Sequence, residues 1–310
     1  MSGTVDREEL SRVWRDAAGP PAPSVPSPGP TTLMGAPLAS PDELLGVDLA
    51  VLGLPIGAWQ DAPAAVRAAS RRYAGWLAAA QAETGVRVAD YGDVAVDAAD
   101  SAVTFLRAHE RIADVLAAGA APLVLGGDSL VTVPVLQVLA GKLRGRLGVI
   151  AFSPRLDLDL EATDTGSGRW MRALELGLCA PENVVLIGER GAPDEARARR
   201  AGAALGVRRY GLVDVAEAGV VTVAREALES ACAGTEAVYV SVDLGVAEGM
   251  SDPAGLSAGD LSVALGLVAA ARLAAADVCG VDRAAGSGGA ALLAARLAAD
   301  IVLAVSGARG

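Results

Sequence analysis

From residue 47 onward, short apolar runs alternate with longer stretches of helical periodicity. Continuous apolar runs of the kind buried parallel strands show fall at residues 48–54, 121–125, 147–152, 183–188, 237–243 and 277–281, with weaker ones at 86–91 and 206–210. Between them, residues 63–79, 102–118, 131–139, 171–178, 194–205, 220–232, 256–274 and 290–305 read as helices. The first is typical, with Ala, Val and Leu on one side and Arg67, Arg71 and Arg72 on the other. Pro134 falls in the first turn of its helix, where a missing N–H costs nothing. Strand and helix in alternation predict an α/β domain over residues 47–310 with a mostly parallel sheet. Residues 1–46 include Gly19-Pro20-Pro21-Ala22-Pro23 and Pro26-Ser27-Pro28-Gly29-Pro30, which can build neither a helix nor a central strand. They read as a Pro-rich arm, either an unstructured lead-in or a strap on a neighbouring surface.

Composition narrows the classes. With 310 residues and 52% hydrophobic content the chain can fill a sizeable core, and the most apolar tail, residues 290–305, still carries Arg296 and Asp300. No membrane span is expected. A net charge of -11 argues against a nucleic-acid partner, which would call for clustered Lys and Arg. Asp6, Glu8 and Glu9 stand where a secretory signal would be basic, and the widely spaced Cys179, Cys232 and Cys279 form no disulfide framework. Together they predict a cytoplasmic protein. Lys142 is the single lysine among many arginines and alanines, the bias of a GC-rich bacterial genome.

The stretch that organises the chain is Ala121-Pro122-Leu123-Val124-Leu125-Gly126-Gly127-Asp128-Ser129-Leu130. Two glycines after a buried strand let the backbone turn sharply at its carboxyl end, where open α/β sheets keep their sites. Chemistry is therefore expected near Asp128. Other chemistry has little support. His109, the only histidine, sits mid-helix among charged neighbours and reads as a solvated surface residue. The cysteines have no base beside them, and neither do Ser129 and Ser153. Gly286-Ser287-Gly288-Gly289 lacks the spacing and the lysine of a phosphate loop and reads as a helix-entry turn.

Taken in order, Gly53-Leu54-Pro55-Ile56, Pro63-Ala64-Ala65-Val66-Arg67, Asp90-Tyr91-Gly92-Asp93, Gly126-Gly127-Asp128-Ser129, Ser153-Pro154-Arg155-Leu156-Asp157, Asn183 to Gly191 and Ser241-Val242-Asp243-Leu244-Gly245 resemble the strand-end motifs of the ureohydrolases, the arginases and agmatinases. The resemblance covers residues 47–307. It implies a three-layer αβα arginase-like fold with a mostly parallel sheet of about eight strands, in a family that forms trimers or hexamers. That family binds two manganese ions through six side chains. At those six positions this chain has Ser129, Ser153, Arg155, Asp157, Asp243 and Gly245, so two ligands keep their identity. The resemblance further aligns Gly166-Ser167-Gly168-Arg169-Trp170 with a segment that carries a His-Gly, absent here, and Asp282 with a substrate-contacting glutamate. The loop between residues 56 and 63 is shorter than the family's.

These departures imply that the binuclear manganese site is absent. Arg155 is expected to form a salt-bridged plug against Asp157, Asp243 and Asp128; the alternative is that it points to solvent. The implied function is that of a catalytically degenerate homologue acting as a structural or regulatory subunit, as a homo-oligomer or with an active paralogue. The alternative is a metal-independent or repurposed C–N hydrolase acting on a small guanidino or amide substrate beside Asp128, Asp157 and Asp243.

Overall fold

A computed structural model describes residues 31–57, 59–143, 147–158, 168–281 and 288–308. Asp282, Gly286, Ser287, Gly166 and Ser167 of the sequence motifs lie outside the described residues. Eight strands, β1 Leu49–Leu54, β2 Val88–Asp93, β3 Ala121–Gly126, β4 Leu147–Phe152, β5 Val184–Glu189, β6 Arg208–Gly211, β7 Ala237–Asp243 and β8 Leu273–Cys279, form one sheet in the order β2-β1-β3-β8-β7-β4-β5-β6. Every neighbouring pair is parallel. β1, β4 and β5 are buried along their whole length, as the continuous apolar runs require.

Ten α-helices are described: α1 Ala62–Ser70, α2 Ala74–Thr84, α3 Ser101–Ala117, α4 Thr132–Leu143, α5 Arg169–Glu175, α6 Ala196–Leu205, α7 Leu212–Ala218, α8 Val220–Cys232, α9 Ala258–Val268 and α10 Gly289–Gly307. One core layer joins α1, α2, α8, α9 and α10 to the sheet through residues such as Val66, Leu77, Val223, Leu265 and Ile301. The opposite layer joins α3, α4, α5 and α6 through Ile112, Leu136, Trp170 and Ala198. The result is the three-layer αβα arrangement expected from the pattern.

Two stretches depart from the sequence reading. The helix expected over 256–274 ends at Val268, and the strand expected at 277–281 begins at Leu273. The run Ala269-Ala270-Ala271-Arg272-Leu273-Ala274-Ala275-Ala276 has high helix propensity, but its second half is paired between β3 and β7, so tertiary contact overrides propensity. Within the arm, residues from 32 on belong to the folded body. Leu33 and Met34 are buried; the Leu33 N–H donates to Asp90 Oδ2 at 2.8 Å and that of Met34 to Ser70 Oγ at 2.7 Å. Ala36, Leu44 and Val47 are buried as well, so apolar side chains set among the polar and proline positions hold that segment to the body.

The helix α10 is long and apolar enough to cross a membrane by length and composition, yet 67% of its apolar window is buried within the domain. It packs on α1, α2 and α9, and its charged pair, Arg296 Nε and Asp300 Oδ1 at 2.9 Å, is satisfied internally. It is a core helix. His109 is exposed on α3.

Candidate active site

The carboxyl ends of β3, β4, β7 and β8 converge, and the sequence-predicted residues divide there into those that meet and those that do not. Asp128 caps the turn Ser129–Val131, its Oδ1 accepting the Leu130 N–H at 2.8 Å, so its carboxylate serves its own turn. Gly57 faces that carboxylate so closely that a Cβ there would lie 2.5 Å from Asp128 Cβ. The Gly127 carbonyl accepts the Gly280 N–H at 3.0 Å, which joins the β3 turn to the end of β8. Gly280 has φ +75°, and a Cβ on it would stand 2.5 Å from Asp243 Oδ1, so only glycine permits this approach.

At the ends of β4, β7 and β8, Ser153, Asp157, Asp243 and Cys279 surround one side chain. It is Arg169, the first residue of α5, fully buried. Its Nε lies 3.0 Å from Asp157 Oδ2, its Nη2 is 3.8 Å from Asp243 Oδ2 and donates to Ser153 Oγ at 3.2 Å, and its Nη1 reaches Cys279 Sγ at 3.9 Å. The Nε contact is an ion pair without hydrogen-bond alignment. The Trp170 ring lies 5.1 Å from the guanidinium carbon, within cation–π range.

Local structure explains the arrangement. Strand register sets Asp243 opposite Cys279 and Ser241 opposite Asp277, so alternation turns these four toward the α3–α6 layer. Asp157 adopts φ +49°, an uncommon conformation for a residue with a side chain. In that conformation its carbonyl accepts the N–H groups of Trp170 and Met171 at 3.2 and 3.4 Å, while its carboxylate faces Arg169. One residue thus clasps both the start of α5 and the charge it carries.

Arg155, expected as the plug, is placed elsewhere. Its side chain is 54% exposed and its Nε lies 3.4 Å from Glu195 Oε1. Asp157 and Asp243 do meet a guanidinium, but it arrives from residue 169. Gly245 follows β7; its N–H donates to Asp243 Oδ1 at 2.9 Å, and its carbonyl accepts from Arg190 and from Ser251 Oγ. A Cβ at 245 would meet Pro154 Cγ at 3.0 Å and Asp243 Oδ1 at 3.1 Å, so the position is tight for any larger side chain.

Sequence reading missed Arg169, Cys279 and, beneath them, Asp277. The Asp277 carboxylate, fully buried, accepts from Thr132 Oγ1 at 3.1 Å, Ser241 Oγ at 3.0 Å and the Tyr239 hydroxyl. Burial pushes Asp277 up to about 7 and Asp157 up to about 6, in both cases against the pull of Arg169. Burial likewise raises the Cys279 thiol well above its ordinary value, with Asp277 and Asp243 adding to it. Burial opposes the charge of Arg169, but Asp157, Cys279, Asp243 and Asp277 outweigh it and its pKa lies above its usual value. Arg169 is a permanent cation, and the nest around it is an anion-rich cradle already filled.

Comparison with known proteins bears on the family and the fold. Formimidoylglutamase from Halalkalibacterium halodurans is 30% identical over 165 residues, covering 52% of this chain and 51% of that protein. Guanidinopropionase from Pseudomonas aeruginosa is 36% identical over 169 residues, covering 52% and 51%. The chain therefore spans about half the length of these curated relatives. Among solved structures, a hypothetical agmatinase from Burkholderia thailandensis superposes with TM-score 0.74 at 26% identity, covering 90% of this chain and 92% of that one. Formimidoylglutamase from Bacillus subtilis, at 19% identity, shares the fold with TM-score 0.78 over 94% and 98%. The Arginase family matches residues 47–304, nearly the whole folded body, and on that ground the chain belongs to the arginase family, the ureohydrolases.

Proposed function

We propose that this chain is a catalytically degenerate ureohydrolase homologue, without a binuclear manganese site, that serves as a structural or regulatory subunit. The observation that carries the reading is the buried Arg169 guanidinium, 3.0 Å from Asp157 and 3.8 Å from Asp243. Two divalent ions each need several carboxylate or imidazole donors, and at the six family positions only these two aspartates offer one. A guanidinium that cannot release its proton already stands against both and would repel a divalent ion placed between them. The residues present do not fit the metal pair. The retained sheet and core leave a scaffold suited to assembly, as a homo-oligomer or beside an active paralogue.

A repurposed hydrolase is the second reading. It is favoured by Asp243, whose side chain is 20% exposed at the end of β7. It acts on a small guanidino or amide substrate without metal.

The deciding experiment is elemental mass spectrometry of protein purified from manganese-supplemented cells, together with release of urea from a panel of guanidino compounds and of formamide or ammonia from formimidoyl compounds. The expected result is far less than one manganese per chain and no turnover. Two tightly held ions with turnover would overturn the proposal, and turnover without metal would install the second reading.

A further inference from the structure

We propose that the cavity beneath the amino ends of β1, β3, β8 and β7, at the opposite end of the sheet from Asp157 and Asp243, binds a small carboxylate with an apolar chain, its headgroup held by Lys142 and Arg272. The inference does not rest on the functional reading, since no residue aligned with the family's metal ligands lines this cavity.

The cavity holds about 430 Å³, within the range of small-molecule sites, and lies where four adjacent strands begin and the last turns of α3, α4 and α10 meet the turn after α9. Its walls are apolar: Leu116 from α3, Leu139 and Leu143 from α4, Leu273 at the start of β8 and Val305 from α10. A hydrocarbon chain placed among them is removed from water. Two basic side chains join this wall, Lys142 in the last turn of α4 and Arg272 immediately before β8, both exposed. Among the described residues the acid of the lining is Asp48, and its Oδ2 already accepts the Arg87 N–H at 2.8 Å. Two full positive charges thus stand against one carboxylate that is engaged elsewhere, and that balance selects an anion.

Helix C-termini carry partial negative charge, so the plainer role of both cations is to offset it. Backbone geometry separates the two roles at Arg272. That residue lies beyond the end of α9 and has φ +24°, in the range that glycine adopts freely and a residue with a side chain seldom does. Its carbonyl accepts the Val238 N–H at 3.0 Å, which seats it on β7, and its Nη1 donates to the Thr235 carbonyl at 3.3 Å. One nitrogen is thereby fixed to the backbone, and the guanidinium has donors on two others. A backbone strained to carry an arginine, at the rim of an apolar cavity that a second cation also borders, has the character of a binding position.

The wild type carries its own reporter. Lys142 is the single lysine, so the full chain labelled with carbon-13 lysine gives one side-chain Cε signal, from the rim of the cavity. Hexanoate should shift that signal saturably, with a dissociation constant of about 1 mM. Hexylammonium and 1-hexanol, which keep the chain and lack the negative charge, should bind about tenfold more weakly or less. Arg272→Gly relieves the backbone and removes the fork, so its thermal midpoint should stay within a few degrees of the wild type while affinity for hexanoate falls about tenfold. Lys142→Gln, followed by calorimetry, should lose a similar factor. A lysine signal that does not move, or moves without saturating, would overturn the inference. So would hexylammonium binding as well as hexanoate, which would hand the charge balance to the helix ends, or an unchanged affinity in either variant. Metal content and turnover, which judge the functional reading, report on the other end of the sheet and decide nothing here.

Discussion

Among the described residues, two arginines lie buried among aspartates, and they are not alike. Arg67, at the β1–β2 side of the sheet, donates from Nε to Asp90 Oδ2 at 2.8 Å and from Nη2 to Asp90 Oδ1 at 2.9 Å, with Nη1 on Asp93 and a further bond to the Gly92 carbonyl. This is the paired, fork-to-fork contact that guanidinium and carboxylate form most strongly. Arg169 touches more partners at longer range and leaves Nε unaligned. The first pair looks built as a structural clasp, since Asp90 also receives the Leu33 N–H and so ties the N-terminal segment to β2. The second is a cation shared among four partners on separate strand ends and loops.

The sharpest way to break that comparison is to remove each arginine. Arg67→Ala should cost about 3–5 kcal/mol by urea denaturation, since it strands the fully buried Asp90 carboxylate. It should cost more than Arg169→Ala, whose contacts are longer and whose partner Asp243 is partly exposed. Equal losses would mean the two sites are of one kind.

A smaller effect separates the strand-end acids by pH. The Asp277 carboxyl is held up at about 7, whereas an unfolded aspartate titrates near 4. Between about pH 4 and pH 7 the unfolded chain gives up a proton that the folded one keeps, so this group makes stability fall as pH rises through that window. An acid held low by an ion pair would do the opposite. Asp277→Asn should remove the slope, so that wild type loses stability relative to the variant between about pH 5 and pH 7.5. Parallel curves would show that the three hydroxyl donors keep Asp277 ionised throughout.

The smallest expected effect falls on Arg155. Its own side chain is over half exposed but its partner at 3.4 Å, Glu195, is buried, so replacing it by alanine should cost about 1 kcal/mol, less than either buried arginine. A loss comparable to that of Arg169→Ala would mean the two arginines share the cradle.

Much of this was legible beforehand. The glycine pair after β3, Asp157 after β4 and Asp243 at the end of β7 announce their strand ends because the motif and the turn chemistry are local. The identity of the plug was not local. Arg155 stood in an aligned ligand position, but beyond a strand's end the backbone no longer alternates and its side chain turned outward. Arg169 reaches Asp243 and Cys279 from 74 and 110 residues away in sequence. One signal did exist: in the short helix α5, Arg169 and Ala173 share a face four residues apart, and Ala173 is buried while Arg172 is exposed. An arginine on the apolar stripe of a helix asks for an acid beneath it.

Asp157 binds α5 through its carbonyl and Arg169 through its carboxylate, from a backbone conformation that only this double use sustains. A substitution at residue 157 therefore reaches the start of the helix and the charge that helix carries at once, so its effect cannot be read as that of a carboxylate alone.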